Sequence, residues 1–257
     1  MKRAQIAAQL YTVRDHTQTA ADLAETLRRL RDIGYAAVQV SAIGPIPPAE
    51  VRRICEEAGM TICATHEDPA VIRRRPGEVV ETLSTLGCRH TAYPFPRDVD
   101  FTSPADIDTL VADLDRAGAV LAAAGCVLSY HNHAIEFMRL GAGTVLEAIF
   151  TRTDPRHLQA ELDTYWVQFG GGDPVDWCRR MAGRLPVIHL KDYKFTAENQ
   201  PSFAELGRGN LDFGRIVAAA EAAGCEWFVV EQDTCPGDPF DSLRISFEYL
   251  IEHFVDD

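Results

Sequence analysis

The 257-residue sequence predicts an α/β fold, a single-domain (β/α)8 TIM barrel over residues 1–257. Short apolar runs alternate with helical patterns eight times along the chain. Glycine closes most of the helical patterns just before an apolar run begins. The length itself is close to the roughly 250 residues of one such barrel.

The glycine punctuation recurs at LRDIG-YAAVQV, CEEAG-MTICAT, LSTLG-CRHTAY, LAAAG-CVLSYH and EAAG-CEWFVVE. Glycine just past a helix takes the left-handed conformation without a Cβ penalty. The apolar runs, about six residues each, are too short for helices and rich in Val, Ile and Cys. Unbroken apolar character suits parallel strands buried on both faces. Strands are therefore predicted near 5–10, 36–40, 61–65, 90–93, 127–131, 158–162, 187–190 and 227–231. Helices are predicted near 19–33, 48–58, 76–86, 104–124, 143–151, 174–182 and 213–223, with a last one over 240–254. Ser103-Pro104 and Asp173-Pro174 each place a capping side chain before a proline at the first helical position. A doubly wound open sheet is the alternative. It would carry a glycine-rich phosphate loop after its first strand, and Leu10 to Asp15 contains no glycine. Gly170-Gly171-Gly172 reads as a tight turn. No linker breaks the alternation. The longest stretch without periodicity is 193–210, and loops of that length on compact domains are often active-site lids.

Composition narrows the function. Apolar residues make up 46% and charged residues 25%, as in globular proteins that fold in water. No apolar run reaches the roughly 18 residues of a membrane span. The opening MKRAQIAAQLYTVRD lacks the apolar stretch of a signal peptide and reads as the first strand. A net charge of −13 argues against a nucleic-acid partner, whose phosphates require clustered Lys and Arg. The run Arg73-Arg74-Arg75 stands alone and reads as a solvated loop or helix start. Seven cysteines include no C-x-x-C pair. Cys63, Cys88, Cys126 and Cys225 sit in apolar runs as small buried hydrophobes. A reducing, cytoplasmic setting is expected.

Chemistry in a (β/α)8 barrel sits at the C-terminal ends of the strands, and the polar residues gather there. Strand one ends near Gln9 and Tyr11, and strand three at His66-Glu67. Strand five ends at His131-Asn132-His133, with Glu136 close behind. Strands six, seven and eight end at Glu161-Leu162-Asp163, His189-Leu190-Lys191-Asp192 and Glu231-Gln232-Asp233. Four neighbouring strands thus each supply a metal-competent side chain. A mostly oxygen ligand set favours Mn2+ or Mg2+, with Co2+ or Zn2+ as alternatives. Converging carboxylates without a cation would raise one another's pKa. Each residue also has a plainer explanation: His189 as a satisfied core histidine, Asp163 as a helix cap, Glu231 as an ion-pair partner. His131 and His133 share one strand face at i, i+2, so one of them could simply bond backbone.

The segments QLYTVRD (9–15), YHNHAIEF (130–137), ELDTYWV (161–167) with GGDP (171–174), GRLPVIHLKD (183–192), GRGNLDF (207–213) and EWFVVEQD (226–233) run from the first strand to the last. Together they resemble the xylose-isomerase-like TIM-barrel superfamily, the sugar phosphate isomerase/epimerase family. The resemblance implies one divalent metal held by a strand-five acid and by Asp163, His189 and Glu231. For strand five, either Glu136 reaches the metal or His131 replaces the acid; Glu136 is the choice made from sequence. Ketose 3-epimerases, which the chain resembles, have a Glu where Tyr-His-Asn-His stands here. The implied function is a metal-dependent sugar isomerase or epimerase working by α-proton abstraction through a metal-stabilised enediolate. The alternative is a lyase or dehydratase acting on a keto-inositol or 3-keto-sugar by β-elimination, which the Tyr-His-x-His segment also resembles. The expected catalytic residues are His131 or Glu231 as base, Lys191 for oxyanion charge and His66 as a proton relay. Gln9, Glu67, His133 and Arg208 are the expected substrate-binding residues. The partner implied is a small sugar or keto-sugar, with no nucleic acid and no membrane; a homo-oligomer is left open. A non-catalytic sugar-binding protein and a related barrel endonuclease are the rival classes. The second would require further His and acidic ligands and basic loops.

Overall fold

The computed structural model describes residues 1–255. Eight parallel strands close a barrel: β1 Ile6–Gln9, β2 Ala37–Val40, β3 Thr61–His66, β4 His90–Tyr93, β5 Val127–His131, β6 Leu158–Asp163, β7 Val187–Leu190 and β8 Trp227–Val230. Each pairs with its neighbours in sequence, and β1 closes the ring by pairing with β8. The sequence-predicted strands are all present, with ends moved by a residue or so, as hydrogen-bond definitions of an end allow.

Among the described residues ten α-helices surround the barrel: α1 Ala20–Ile33, α2 Pro48–Glu57, α3 Pro69–Arg74, α4 Pro76–Leu86, α5 Pro104–Ala123, α6 Val145–Arg152, α7 Thr164–Phe169, α8 Pro174–Arg180, α9 Phe213–Ala222 and α10 Pro239–Phe254. The caps behave as their sequences require. Ser103 Oγ accepts from Asp106 N at 3.3 Å, and Asp173 Oδ1 from Val175 N at 2.8 Å. Two six-residue helices, α3 and α7, were not anticipated. Each follows a strand end directly and starts on a side-chain cap, from Asp68 and Asp163 respectively. The arginine run closes α3, and Arg73 is not simply solvated: its Nε donates to Asp113 on α5 at 2.9 Å.

The strand period of two divides the barrel interior into layers. Ala7, Ala37, Cys63, Ala64, Val187 and Val229 form a compact apolar plug in its lower half. Two residues further along the same strands stand Gln9, Gln39, Thr65, His189 and Glu231, all buried. The outward residues, such as Ile6, Val38, Tyr130 and Leu162, join the larger core between barrel and helices. A polar chamber thus rests on an apolar floor. Among the described residues no helix is long and apolar enough to cross a membrane.

The segment 193–210 is not an irregular loop. Asp192–Phe195 and Pro201–Ala204 pair as an antiparallel ribbon. The Asp192 carboxylate then fastens the return: Oδ2 accepts from Gly207 N (3.0 Å) and Gly209 N (2.8 Å), and Oδ1 from Leu211 N (3.2 Å) and Tyr193 N (2.7 Å). Gly207 holds a left-handed φ of 77° at this turn, which glycine adopts without strain.

Candidate active site

The open, C-terminal end of the barrel holds a cavity of about 360 Å³ lined by residues from several strand ends, including His66, Glu67, His131, His133, Lys191 and Glu231. All six were expected from sequence. Asp163 and His189 lie directly below them, fully buried.

Beneath the cavity the ionisable groups form one connected network. Lys191 Nζ, buried on the inner face two residues past His189, lies 2.8 Å from Glu231 Oε2, 2.8 Å from Asp233 Oδ1 and 3.0 Å from Asp163 Oδ2. His189 Nδ1 meets Glu231 Oε2 at 2.8 Å, and its Nε2 meets Gln39 Oε1 at 2.6 Å. His66 Nε2 lies 2.6 Å from Glu161 Oε1, while its Nδ1 lies 3.3 Å from Ser41 Oγ. Asp163 is both a cap and a member of this network. Its Oδ1 accepts from Trp166 N at 3.0 Å to start α7. Its Oδ2 is buried and, although near the Lys191 ammonium, makes no well-formed hydrogen bond.

The network sets the charges. Burial works against an ionised Glu231, but Lys191 and His189 outweigh it and hold the carboxyl well below the usual carboxylate range. Burial opposes charge on His189 too, yet Glu161 and Glu231 outweigh it and raise its pKa to about 10. Burial, reinforced by the charge on His189, lowers His131 to about 3, so that ring is neutral. His133 is pushed well down by burial and by its neighbours His131 and Lys191. Asp163 rises to about 6 because burial exceeds the pull of Lys191.

Two groups of side chains have the spacing to hold an ion. One is His131, Asp163, His189 and Glu231; the other is His66, His131, Glu161 and His189. Within each, the donor atoms lie within 4.8 Å of one another. The first, upper group suits a divalent ion: two imidazoles and two carboxylates, with His131 neutral and Asp163 Oδ2 facing the Lys191 ammonium at 3.0 Å. Such a mixed N/O set accepts Mn2+, Co2+ or Zn2+.

Glu136 does not belong to this centre. The chain turns away after His133, and both Glu136 oxygens are committed elsewhere: Oε1 accepts from Tyr130 OH (2.9 Å) and Oε2 from His133 N (2.8 Å). Tyr130 faces the outer core, so Glu136 is held behind the strand and cannot reach the ion site. It braces the His131–His133 turn instead, and the strand-five member of the group is His131. Arg208 is exposed on the turn fastened by Asp192 and does not line the cavity; Arg97, after β4, does. Gln9 is fully buried below the cavity, its Oε1 3.4 Å from Tyr11 N and its Nε2 without a partner. Glu161 and Gln39 were missed as site residues. The signal was there: Glu161 precedes Asp163 by two residues and shares its inward face, and Gln39 is the one polar residue in the β2 run AVQV.

The family model for the xylose isomerase-like TIM barrel matches residues 27–253. An inosose dehydratase of Geobacillus kaustophilus is 24% identical across 90% of this chain and 88% of its own length. A second inosose dehydratase, from Geobacillus thermodenitrificans, is 29% identical across 56% of this chain and 54% of its own length. The crystal structure of a sugar phosphate isomerase/epimerase from Parabacteroides distasonis superposes with a TM-score of 0.82 at 23% identity, covering 98% of this chain and 99% of that one. A closed eight-stranded barrel, donor groups gathered at its open end and a family match over nearly the whole sequence lead to one assignment: the chain belongs to the xylose isomerase-like TIM barrel family.

Proposed function

We propose that the protein is a divalent-metal-dependent carbon–oxygen lyase that dehydrates a keto-inositol or related keto-sugar. The observation that carries this reading is the unequal pair of proton carriers at the cavity. The neutral His133 imidazole lines the cavity on the β5 side, and the Lys191 ammonium, bound by carboxylates, lines it on the β7 side. Elimination requires a base at one carbon and an acid at the next. Epimerisation by paired carboxylates would require a second metal-bound Glu, and the strand-five member here is His131.

Asp163, His189, Glu231 and His131 would hold the ion. When bound, it would supply Lewis-acid polarisation of the substrate carbonyl. His133 lines the cavity, is neutral, and has a buried Nδ1 without a partner. It takes the proton α to the carbonyl, a role that suits it better than His131 or Glu231, which are occupied as ligands. The C–H electron pair moves into the carbonyl to give an enolate. As the carbonyl re-forms, the bond to the β-hydroxyl breaks, and that oxygen takes a proton from Lys191 or from His66 to leave as water. Glu67 and Asp233 on the cavity wall accept hydrogen bonds from substrate hydroxyls. The alignment with the Geobacillus kaustophilus inosose dehydratase over nine-tenths of the chain supports the same reading.

A sugar isomerase or epimerase is the second reading. His66 and His133 reach the cavity from different strands, so the enolate could be reprotonated from another side. Incubation with Mn2+ and a keto-inositol in D2O separates the two. A dehydratase forms an unsaturated product absorbing in the ultraviolet and releases water. Solvent deuterium in recovered isomer, with no ultraviolet product across a keto-sugar panel, would overturn the lyase in favour of the isomerase. Neither exchange nor product would overturn both.

A further inference from the structure

Glu161 lies at the centre of the lower group, wholly buried. A carboxylate only accepts hydrogen bonds, so every group facing it must present a hydrogen. Gln39 therefore turns its amide nitrogen to Glu161 Oε2, at 2.9 Å. That choice aims Gln39 Oε1 at His189 Nε2, 2.6 Å away, and the same nitrogen lies 3.2 Å from Glu161 Oε1. With only acceptors on this side, His189 carries a hydrogen on Nε2. Nδ1, beside Glu231, is the nitrogen free to bind an ion once it gives up its own proton. His131 repeats the pattern, with Nδ1 3.3 Å from Glu161 Oε1 and Nε2 turned toward Asp163.

We propose that Glu161 is a positioning residue that acts through Gln39: it fixes the tautomer of His189, and so decides which ring nitrogen holds the divalent ion. The lower group is then the support of the upper one and not a second ion site. The proposal rests on the metal-dependent reading above. Metal-binding histidines commonly give their other N–H to a carboxylate or carbonyl, and loss of that partner weakens metal affinity about 10–100-fold.

Two variants test it. Glu161→Gln puts an amide nitrogen where Oε2 was, so the Gln39 amide must turn over and offer its NH2 to His189 Nε2. The ring then gives up its Nε2 hydrogen and keeps the one on Nδ1, which blocks the ligating atom. Adding Gln39→Glu restores an acceptor opposite Nε2 at unchanged total charge. Mn2+ affinity is read by electron paramagnetic resonance, and the ring nitrogens of His189 by nitrogen-15 NMR of the metal-free protein. The expected result is a protonated Nε2 in wild type, a bare Nε2 with about 10–100-fold weaker Mn2+ binding in Glu161→Gln, and recovery of both in the double variant. Unchanged affinity and unchanged ring spectra in Glu161→Gln would overturn the proposal. So would lost affinity that the double variant does not recover, because Glu161 would then be a ligand itself. A wild-type protein that binds no Mn2+ yet shows the ring-nitrogen switch would sink the metal reading and leave the positioning of His189 standing.

Discussion

Replacing Lys191 by methionine removes the cation that three carboxylates share and keeps most of the side-chain volume. In the wild type the ammonium lies 2.8 Å from Glu231 and Asp233 and 3.0 Å from Asp163, and is almost completely buried. Burial works against its charge, but the three carboxylates outweigh that and raise its pKa well above the usual lysine range. Deleting one partner of a buried ion pair typically costs 3–5 kcal/mol, because the opposite charge is left uncompensated. In a domain of about this size each kcal/mol moves Tm by roughly 2–4 °C, so Lys191→Met should melt about 10 °C below wild type without added metal. Part of the deficit should disappear with acid, since Asp163 already titrates near 6 and protonation relieves the repulsion. Mn2+ should return more stability to the variant than to wild type, because an ion neutralises the same oxygens. Calorimetric melts at pH 5 and pH 7.5, with Mn2+ or with EDTA, measure all of this. A metal-free variant that melts with wild type at pH 7.5 would refute the argument, since it would mean that the carboxylates do not depend on the ammonium.

Other consequences can be checked alongside it. Asp163→Ala and His189→Ala should each abolish stoichiometric Mn2+ while Glu136→Gln retains it, by metal analysis after gel filtration; metal lost in Glu136→Gln would return that residue to the ligand set. Burial raises the Glu136 carboxyl to about 7 from an ordinary 4.5, so the folded state holds this proton more tightly than the unfolded chain does. That contribution is complete below about pH 4.5 and disappears as pH rises through 7, a loss of about 3 kcal/mol; urea melts from pH 5 to 8 should show a decline that Glu136→Gln flattens. Gly118, inside α5, has no room for a Cβ against the His157 carbonyl. Gly118→Ala should therefore destabilise the fold by about 1–3 kcal/mol, and an unchanged denaturation midpoint would contradict that close approach.

Much of the architecture is legible because its signals are local. A glycine after a helix and a short apolar run after the glycine need only a few neighbouring residues, and all eight barrel strands follow from them. The short helices α3 and α7 escape because six residues carry less than two turns of periodicity. The 193–210 segment looks irregular because its order comes from one carboxylate bonding amides up to nineteen residues away. At the candidate site, reading the strand ends picks out Asp163, His189, Lys191 and Glu231, names Glu161 without giving it a role, and passes over Gln39. Glu161 sits one layer below Asp163, and Gln39 is a lone polar residue in an apolar run; only the two-residue strand period separates such a barrel-facing side chain from an outward one. Glu136 is misplaced for a related reason. Spacing along the chain gives its distance from His131 but not the turn after His133, which carries it to the far side of the strand.

The knot tied by Asp192 bears on how a substrate reaches the chamber. Four amides converge on that carboxylate, so the chain entering and the chain leaving the ribbon above β7 are fastened together at its base. Across the mouth, Asp68, Phe95 and Arg97 stand exposed on the segments after β3 and β4. The cavity opens on that side. Side-chain exchanges there would alter the cavity mouth, and with it the choice among the keto-sugars proposed as substrates, while leaving the buried network intact.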